Sequence, residues 1–219
     1  MELPKPPTTP TIERETSGGS DFACSLRKRS RELRVRRVRS EEWEDLRALR
    51  VRALEDAPDA FGSTAAEALR RSDDDWIVWA RVGSSSSVSA VFVAEAGGTM
   101  VGICGVFLHE GDPGTAQIVA MWVSPDHRGR RIGEMFLTVA ADWSAHHGAR
   151  ELVLDVTESN EPARRLYRRA GFSETGRSEP LRSNPRLLTL QMSRALRDDP
   201  GVGSMGSAAC RGTSSGSVS

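Results

Sequence analysis

Residues 116–134, AQIVAMWVSPDHRGRRIGE, constrain the fold more than any other part of the chain. Residues 117–123 are apolar and strand-forming, and Ser124 and Pro125 make a turn. A basic, glycine-containing loop follows and opens a helix near Arg131. A strand that runs through a loop into a helix start is an anion site by construction. The first helical turn leaves N–H donors unpaired, and the helix dipole places partial positive charge there. Arg128, Arg130 and Arg131 add formal charge. The loop has neither the Gly-Lys-Ser/Thr of a P-loop nor the G-x-G-x-x-G of a dinucleotide site. Its charge and position point to a pyrophosphate. A solvated turn carrying surface arginines is the competing reading, and the rest of the chain decides between them.

Upstream, Leu33, Val35 and Val38 suggest a short first strand. Ser40 is placed to cap a helix whose apolar face is Trp43, Leu46, Leu49, Ala53 and Leu54, and Ala57-Pro58 ends it. A second helix starts near Ser63 or Thr64 and carries Ala65, Ala68 and Leu69. Ser72-x-x-Asp75 resembles a capping box before Trp76, Ile77, Trp79 and Ala80, with a loop expected at residues 83–87. The period then switches to alternation. Strands are expected at residues 90–95 and 100–108 around a Gly97-Gly98 turn. Gly102 and Gly105 inside the second suggest a bulge or a close approach.

Gly111-Asp-Pro-Gly114 turns into the central strand. Beyond the basic loop, Ile132, Met135, Phe136, Val139, Ala140 and Trp143 keep helical spacing as far as Gly148, a natural C-terminal cap. A strand at residues 151–156, a helix starting at Pro162 and ending at Gly171, and strands at residues 172–176 and 187–192 complete the order. This is a mixed α/β single domain. The helix between its fourth and fifth strands makes that pair parallel.

The 219 residues suffice for one domain with tails, and 30 basic residues balance 30 acidic ones, so the chain as a whole is no polyanion binder. Lys5 and Lys28 are the only lysines; with arginine so common, no single arginine carries much weight. Residues 1–32, Pro-rich and basic, and residues 198–219, Gly/Ser-rich, bury too little to offset chain entropy and are expected to be disordered, leaving a domain at 33–197. Residues 27–39, RKRSRELRVRRVR, read either as a nucleic-acid arm or as a solvated run into the first strand; the second is favoured. Cys24, Cys104 and Cys210 are odd in number and lack metal-ligand spacing, so neither a disulfide framework nor a metal is expected. His146 and His147 are adjacent on a helix and make a poor metal pair. No apolar run approaches membrane-spanning length and no signal peptide is visible, so a cytoplasmic protein without a membrane partner is expected.

The order of elements and two sequence blocks resemble the GNAT superfamily of acyl-CoA N-acetyltransferases, over roughly residues 33–197. The first block, from Met121 through Arg128-Gly-Arg-Arg-Ile-Gly133, is similar to that family's acyl-CoA pyrophosphate loop, [QR]-x-x-G-x-[GA]. The second, Asn160-x-x-Ala163-x-x-Leu166-Tyr167-x-x-x-Gly171-Phe172, is similar to its second CoA-contacting block. One departure stands out: Arg131 occupies a position where the family usually has glycine. That costs about 1 kcal/mol or more if the backbone there is left-handed. Gly133, unfavourable in a helix by about 1 kcal/mol against Ala, is explained by close approach of a ligand.

The resemblance implies a GNAT fold: a central mixed, mostly antiparallel sheet of about seven strands, splayed between strands 4 and 5 and flanked by about four helices. It also implies direct transfer of an acetyl group from acetyl-CoA to an amine, with no nucleophilic Ser or Cys. The pantetheine arm would pair with backbone of Met121, Trp122 and Val123. The diphosphate would rest on Arg128, Gly129, Arg130, Arg131, Ile132, Gly133 and Glu134, with Asn160 and Ala163 completing the cofactor site. A backbone N–H of the fourth strand would stabilise charge growing on the carbonyl oxygen. Tyr167, the only tyrosine, takes the position of the acid that serves the departing sulfur. Glu110 ranks first as the base for the incoming amine, ahead of Asp112 and His109; a water chain to solvent is the alternative. Phe61 and Ser63 fall in one of the two least generic regions, residues 59–64 and 181–185, where the acceptor is expected.

Three functions follow from these residues. The first is an N-acetyltransferase acting on a small amine. The second has a protein or peptide acceptor. The third is a non-catalytic acyl-CoA-binding regulatory module, as monomer or homodimer in each case. A nucleic-acid partner through residues 27–39 ranks below them.

Overall fold

The switch from helical to alternating period divides the molecule into a helical N-terminal layer and a sheet. The computed structural model describes residues 33–196. The expected disordered tails, with Cys24 and Cys210, lie outside the described residues. The elements are β1 (Leu33–Arg37), α1 (Trp43–Asp56), α2 (Ala65–Arg70), α3 (Asp73–Ser85), β2 (Ser89–Ala96), β3 (Thr99–His109), β4 (Asp112–Val123), α4 (Ile132–His146), β5 (Glu151–Thr157), α5 (Glu161–Arg169), β6 (Ser173–Leu181) and β7 (Asn184–Ala195). The seven strands form one sheet in the order β1-β2-β3-β4-β5-β7-β6. Every neighbouring pair is antiparallel except β4–β5, which the α4 crossover makes parallel.

Alternation along the strands sends side chains to two cores. On one face α4 and α5 bury Phe136, Leu137 and Tyr167 against Ile118, Leu152 and Leu154. On the other, α1 and α3 bury Leu46, Leu49 and Trp76 against Val93, Ile103 and Trp122. Full burial of each large side chain contributes roughly 1.5–3 kcal/mol, so both layers are held chiefly by apolar area. The expected capping box of Ser72 with Asp75 opens α3, and a second, Thr64 with Glu67, opens α2.

Three local expectations are corrected. Ser40 begins a 3-10 turn, Ser40–Glu42, rather than capping α1, whose N-cap is Glu42. The loop expected at residues 83–87 is in part helix, since α3 runs to Ser85. Gly83 permits this, because a Cβ there would sit 2.7 Å from a methyl of Val91 on β2. The strands expected at 172–176 and 187–192 extend to meet in a hairpin, with Leu181 opposite Asn184. Among the described residues five helices flank the sheet, where about four were expected.

The described part of the basic run is occupied in folding. Arg36 pairs with Glu42 and Glu95, Arg34 with Glu95, and Arg39 with Glu42. Arg37 donates to the carbonyls of Gly83, Ser86 and Ser89 and so closes the end of α3. Residues 27–32 lie outside the described residues. No described helix is long and apolar enough to cross a membrane.

Candidate active site

The sheet opens where β4 bulges. The β4–β5 ladder joins Thr115–Ile118 to Glu151–Leu154 and then stops. Both strands continue, but β5 keeps only β7 as a partner. On the other side of β4 the register jumps: Ile103 faces Trp122 and Gly105 faces Val119, so Ala120 and Met121 together oppose Cys104. Ala120 has φ 56°, a left-handed conformation unusual for a residue with a Cβ. The extra residue bends β4 away from β5 and leaves the β5-facing backbone of residues 119–123 without a strand partner, the groups a ligand can use. The bulge expected near Gly102 forms in β3 itself, where Val101 is extra between the Ala94–Gly102 and Glu95–Met100 pairs, and β4 carries the one before Gly105. Gly102 also serves close approach: a Cβ there would meet the Trp122 carbonyl at 3.0 Å and the Phe136 ring at 3.1 Å.

Two cavities open from this gap. The first, about 840 Å³, lies between the splayed β4, the following loop, and α5. Met121, Trp122 and Val123 form its β4 wall, while Asn160, Ala163, Leu166 and Tyr167 come from α5 and its start. Arg128, Gly129, Arg131, Ile132, Gly133 and Glu134 close its end at the N-terminus of α4. Arg130 is exposed and does not line the cavity.

The loop has the conformation an anion cradle needs. Gly129 has φ 76° and Arg131, the N-cap of α4, has φ 62° and ψ 14°. No side chain caps α4, so the first-turn N–H groups remain available. Arg131 takes the left-handed backbone that its sequence position made costly, and its side chain, 84% exposed, reaches only Glu134 at 3.7 Å. At Gly133 the crowding neighbours belong to the protein: a Cβ would lie 2.7 Å from Leu166 and 3.3 Å from Met121. Helix packing thus accounts for that glycine, where ligand approach was expected to.

Arg128 points away from a free role. Its guanidinium pairs with Asp56 at the end of α1, and its Nε donates to the Val123 carbonyl at 3.1 Å. The same Asp56 oxygen accepts the Trp122 indole N–H at 2.8 Å. One carboxylate thereby ties α1, β4 and the loop together.

Tyr167 is buried on α5 beside Phe172, and its hydroxyl points at Met121 Sδ, 4.0 Å away. Burial pushes its pKa well above the ordinary phenol value, so the hydroxyl stays protonated. Asn160 caps α5 by accepting the Ala163 N–H at 3.3 Å, which leaves its amide nitrogen for a ligand.

The second cavity, about 730 Å³, lies on the α1–α3 side and shares Ala60 and Phe61 with the first. Phe61 and Ser63 both line it. The intervening chain is pinned across the gap, with Thr157 Oγ1 donating to the Asp59 carbonyl and Ser183 Oγ to that of Phe61. Asp155 stands on β5 one residue beyond the last β4–β5 pair, at the mouth of the opening. Gln117 donates to its Oδ2 at 2.8 Å. Desolvation and then the charge of Glu179 raise its pKa above its ordinary value. Sequence reasoning passed over Asp155; the signal was one carboxylate inside the apolar run Leu152–Val156. Glu110, ranked first as base, sits in the turn joining β3 and β4 and lines neither cavity. Among the described residues no group of three or more His, Cys, Asp or Glu could hold a metal.

Residues 43–172 match the family described as Acetyltransferase (GNAT) family. Streptothricin acetyltransferase from Streptomyces lavendulae is 46% identical over 54 residues, 25% of this chain and 29% of that protein. Mycothiol acetyltransferase from Thermobispora bispora is 28% identical over 130 residues, 58% of this chain and 41% of that one. The chain thus spans less than half of either relative. Among solved structures, a GNAT-family acetyltransferase from Streptococcus pneumoniae superposes with a TM-score of 0.64 at 19% identity, covering 76% of this chain and 100% of that one. An N-acetyltransferase from Thermoplasma acidophilum, solved in complex with coenzyme A, gives 0.53 at 16% identity over 75% and 99%. At those identities the likeness is one of fold.

Proposed function

The chain belongs to the GNAT family of acetyltransferases, and from that premise we propose that it transfers the acetyl group of acetyl-CoA to the primary amine of a small molecule by direct attack. The observation that carries the proposal is the meeting of two cavities at Ala60 and Phe61, beside a β4 backbone released from its parallel neighbour.

The residues fit acetyl-CoA. Released backbone at Met121–Val123 would pair with the amides of the pantetheine arm, and the uncapped start of α4 with Gly129 would hold the diphosphate. Acetyl-CoA supplies an acetyl group activated as a thioester. Asp155, deprotonated and held by Gln117, takes the proton that the amine loses as its nitrogen bonds to the acetyl carbon. Tyr167, kept protonated by burial, would donate a hydrogen bond to the sulfur as the carbon–sulfur bond breaks, and the departing thiolate takes up a proton from solvent, to which Asp155 releases its own. One proton thus passes in net from nitrogen to sulfur. A β4 N–H at the bulge would steady charge on the carbonyl oxygen, a contribution typically of several kcal/mol. The acceptor cavity has the size of a small molecule and is walled by helices and the β6–β7 hairpin, which favours a small amine over a protein chain.

Incubation with acetyl-CoA and a panel of amines, read by thiol release and product mass, tests the proposal. Amine-dependent thiol release with an N-acetylated product supports it. Coenzyme binding without turnover on any amine or peptide would assign a regulatory module instead.

A further inference from the structure

The acceptor cavity has two walls of opposite charge. On the sheet side stand Asp155 and Glu179, close enough for Glu179 to act on the Asp155 carboxyl. On the helix side stand Arg50 from α1 and Arg71 from the end of α2. Glu67 and Arg182 also line the cavity, but they pair with each other at 3.3 Å and cancel.

Arg50 has no such partner. Its Nη2 donates to Ser63 Oγ at 2.9 Å, and its guanidinium lies 4.4 Å from the centre of the Phe61 ring. Its Nη1 is buried with nothing to bond. Among the described residues neither Arg50 nor Arg71 forms an ion pair; Arg71 lies 5.0 Å from the Trp76 ring. A part-buried cation with an unpartnered Nη1, set beside a second cation, is a costly arrangement for a fold to keep without an anion to receive. Burial and Arg71 pull the Arg50 pKa down to about 10, a measure of how poorly the protein alone stabilises that charge. The free Nη1 and the Ser63 hydroxyl, which accepts from Nη2 and so keeps its own proton to donate, form a compact donor pair.

We propose that Arg50, Ser63 and Arg71 form a carboxylate-binding subsite, so that the acceptor is an amine carrying a carboxylate, an amino acid or a close analogue. Its amine would face Asp155 at the opening of the sheet while its carboxylate lies against α1. The assignment of the amine rests on the acetyl-transfer reading; the binding of the carboxylate does not.

The test is calorimetric titration of the full chain, saturated with coenzyme A. The titrants are the common α-amino acids, β-alanine and 4-aminobutyrate, each beside its carboxamide. At least one acid should bind about tenfold or more tightly than its amide, the gain expected of a hydrogen-bonded charge pair. Arg50→Gln should erase that preference. Arg71→Gln, an exposed substitution that leaves the core intact, should reduce it several-fold. Amides binding as well as acids, no acid binding at all, or a preference that survives both substitutions would overturn the proposal. Turnover on the same panel keeps the two readings apart. Acid-selective binding without thiol release retains the subsite and removes the transferase reading. Thiol release indifferent to the carboxylate does the reverse.

Discussion

Asp56 allows a quantitative test of how the loop before α4 is held. One of its oxygens receives both the Trp122 indole N–H and the Arg128 guanidinium. Asp56→Ala removes that acceptor. Trp122 is 6% exposed, so its N–H is left without water, at about 1–3 kcal/mol. The lost ion pair adds little, roughly 0.2–1 kcal/mol, because Arg128 is 53% exposed and screened. The sum, about 1–4 kcal/mol, corresponds to a Tm lowered by roughly 3–12 °C at this size. Asp56→Asn keeps a carbonyl oxygen for Trp122 and loses only the charge, so its expected shift is smaller, about 1–4 °C. Thermal unfolding of both variants, with coenzyme A titrations alongside, measures the difference, and both should weaken coenzyme affinity, Ala more than Asn. Equal losses in Asn and Ala would show that charge, not the indole bond, holds the loop. No shift in either would refute the clamp.

Three further outcomes follow from the same geometry. Tyr167→Phe should lower kcat about 100-fold while the KM for acetyl-CoA and the Tm stay nearly constant, because the hydroxyl meets only Met121 Sδ; a parallel loss of stability would assign the ring to packing. Asp155→Asn should remove the acid limb of the pH–rate profile and stabilise the fold at neutral pH. The folded pKa is raised, so the native state holds the proton more tightly and the aspartate loses stability as pH rises through that value. The advantage of asparagine should therefore vanish below the ordinary carboxylate range, and denaturant titrations at several pH values would show whether it does. Arg131→Gly relieves a left-handed conformation costing about 1–2 kcal/mol and gives back about 0.5–1 kcal/mol of chain entropy; a small rise in Tm is expected, and a fall would mean the φ of 62° carries no strain.

What could be read from the sequence was local. The basic loop, Asn160 and Tyr167 lie in two contiguous blocks, and periodicity alone orders the strands and helices around them. The residues missed are defined by partners distant along the chain. Asp56 matters because of Trp122, sixty-six positions away, and Thr157 because of Asp59, ninety-eight away. Arg50 is unremarkable among many arginines until its burial and the lack of a carboxylate beside it are seen. The opening of the sheet turns on Ala120, a residue with no preference for the conformation it adopts; tertiary packing imposes that bulge. Glu110 was chosen for its nearness in sequence to the central strand, yet the turn carries it away from both cavities, while Asp155, on the strand across the gap, faces one of them.

The central claim is that β4 parts from β5 to receive the coenzyme. A crystal structure of the full chain with coenzyme A tests this most directly. The diphosphate should lie on the backbone N–H groups of residues 129–133, and the pantetheine arm should run along Met121–Val123. A structure in which residues 119–123 pair with β5, or in which the coenzyme lies elsewhere, would contradict the account.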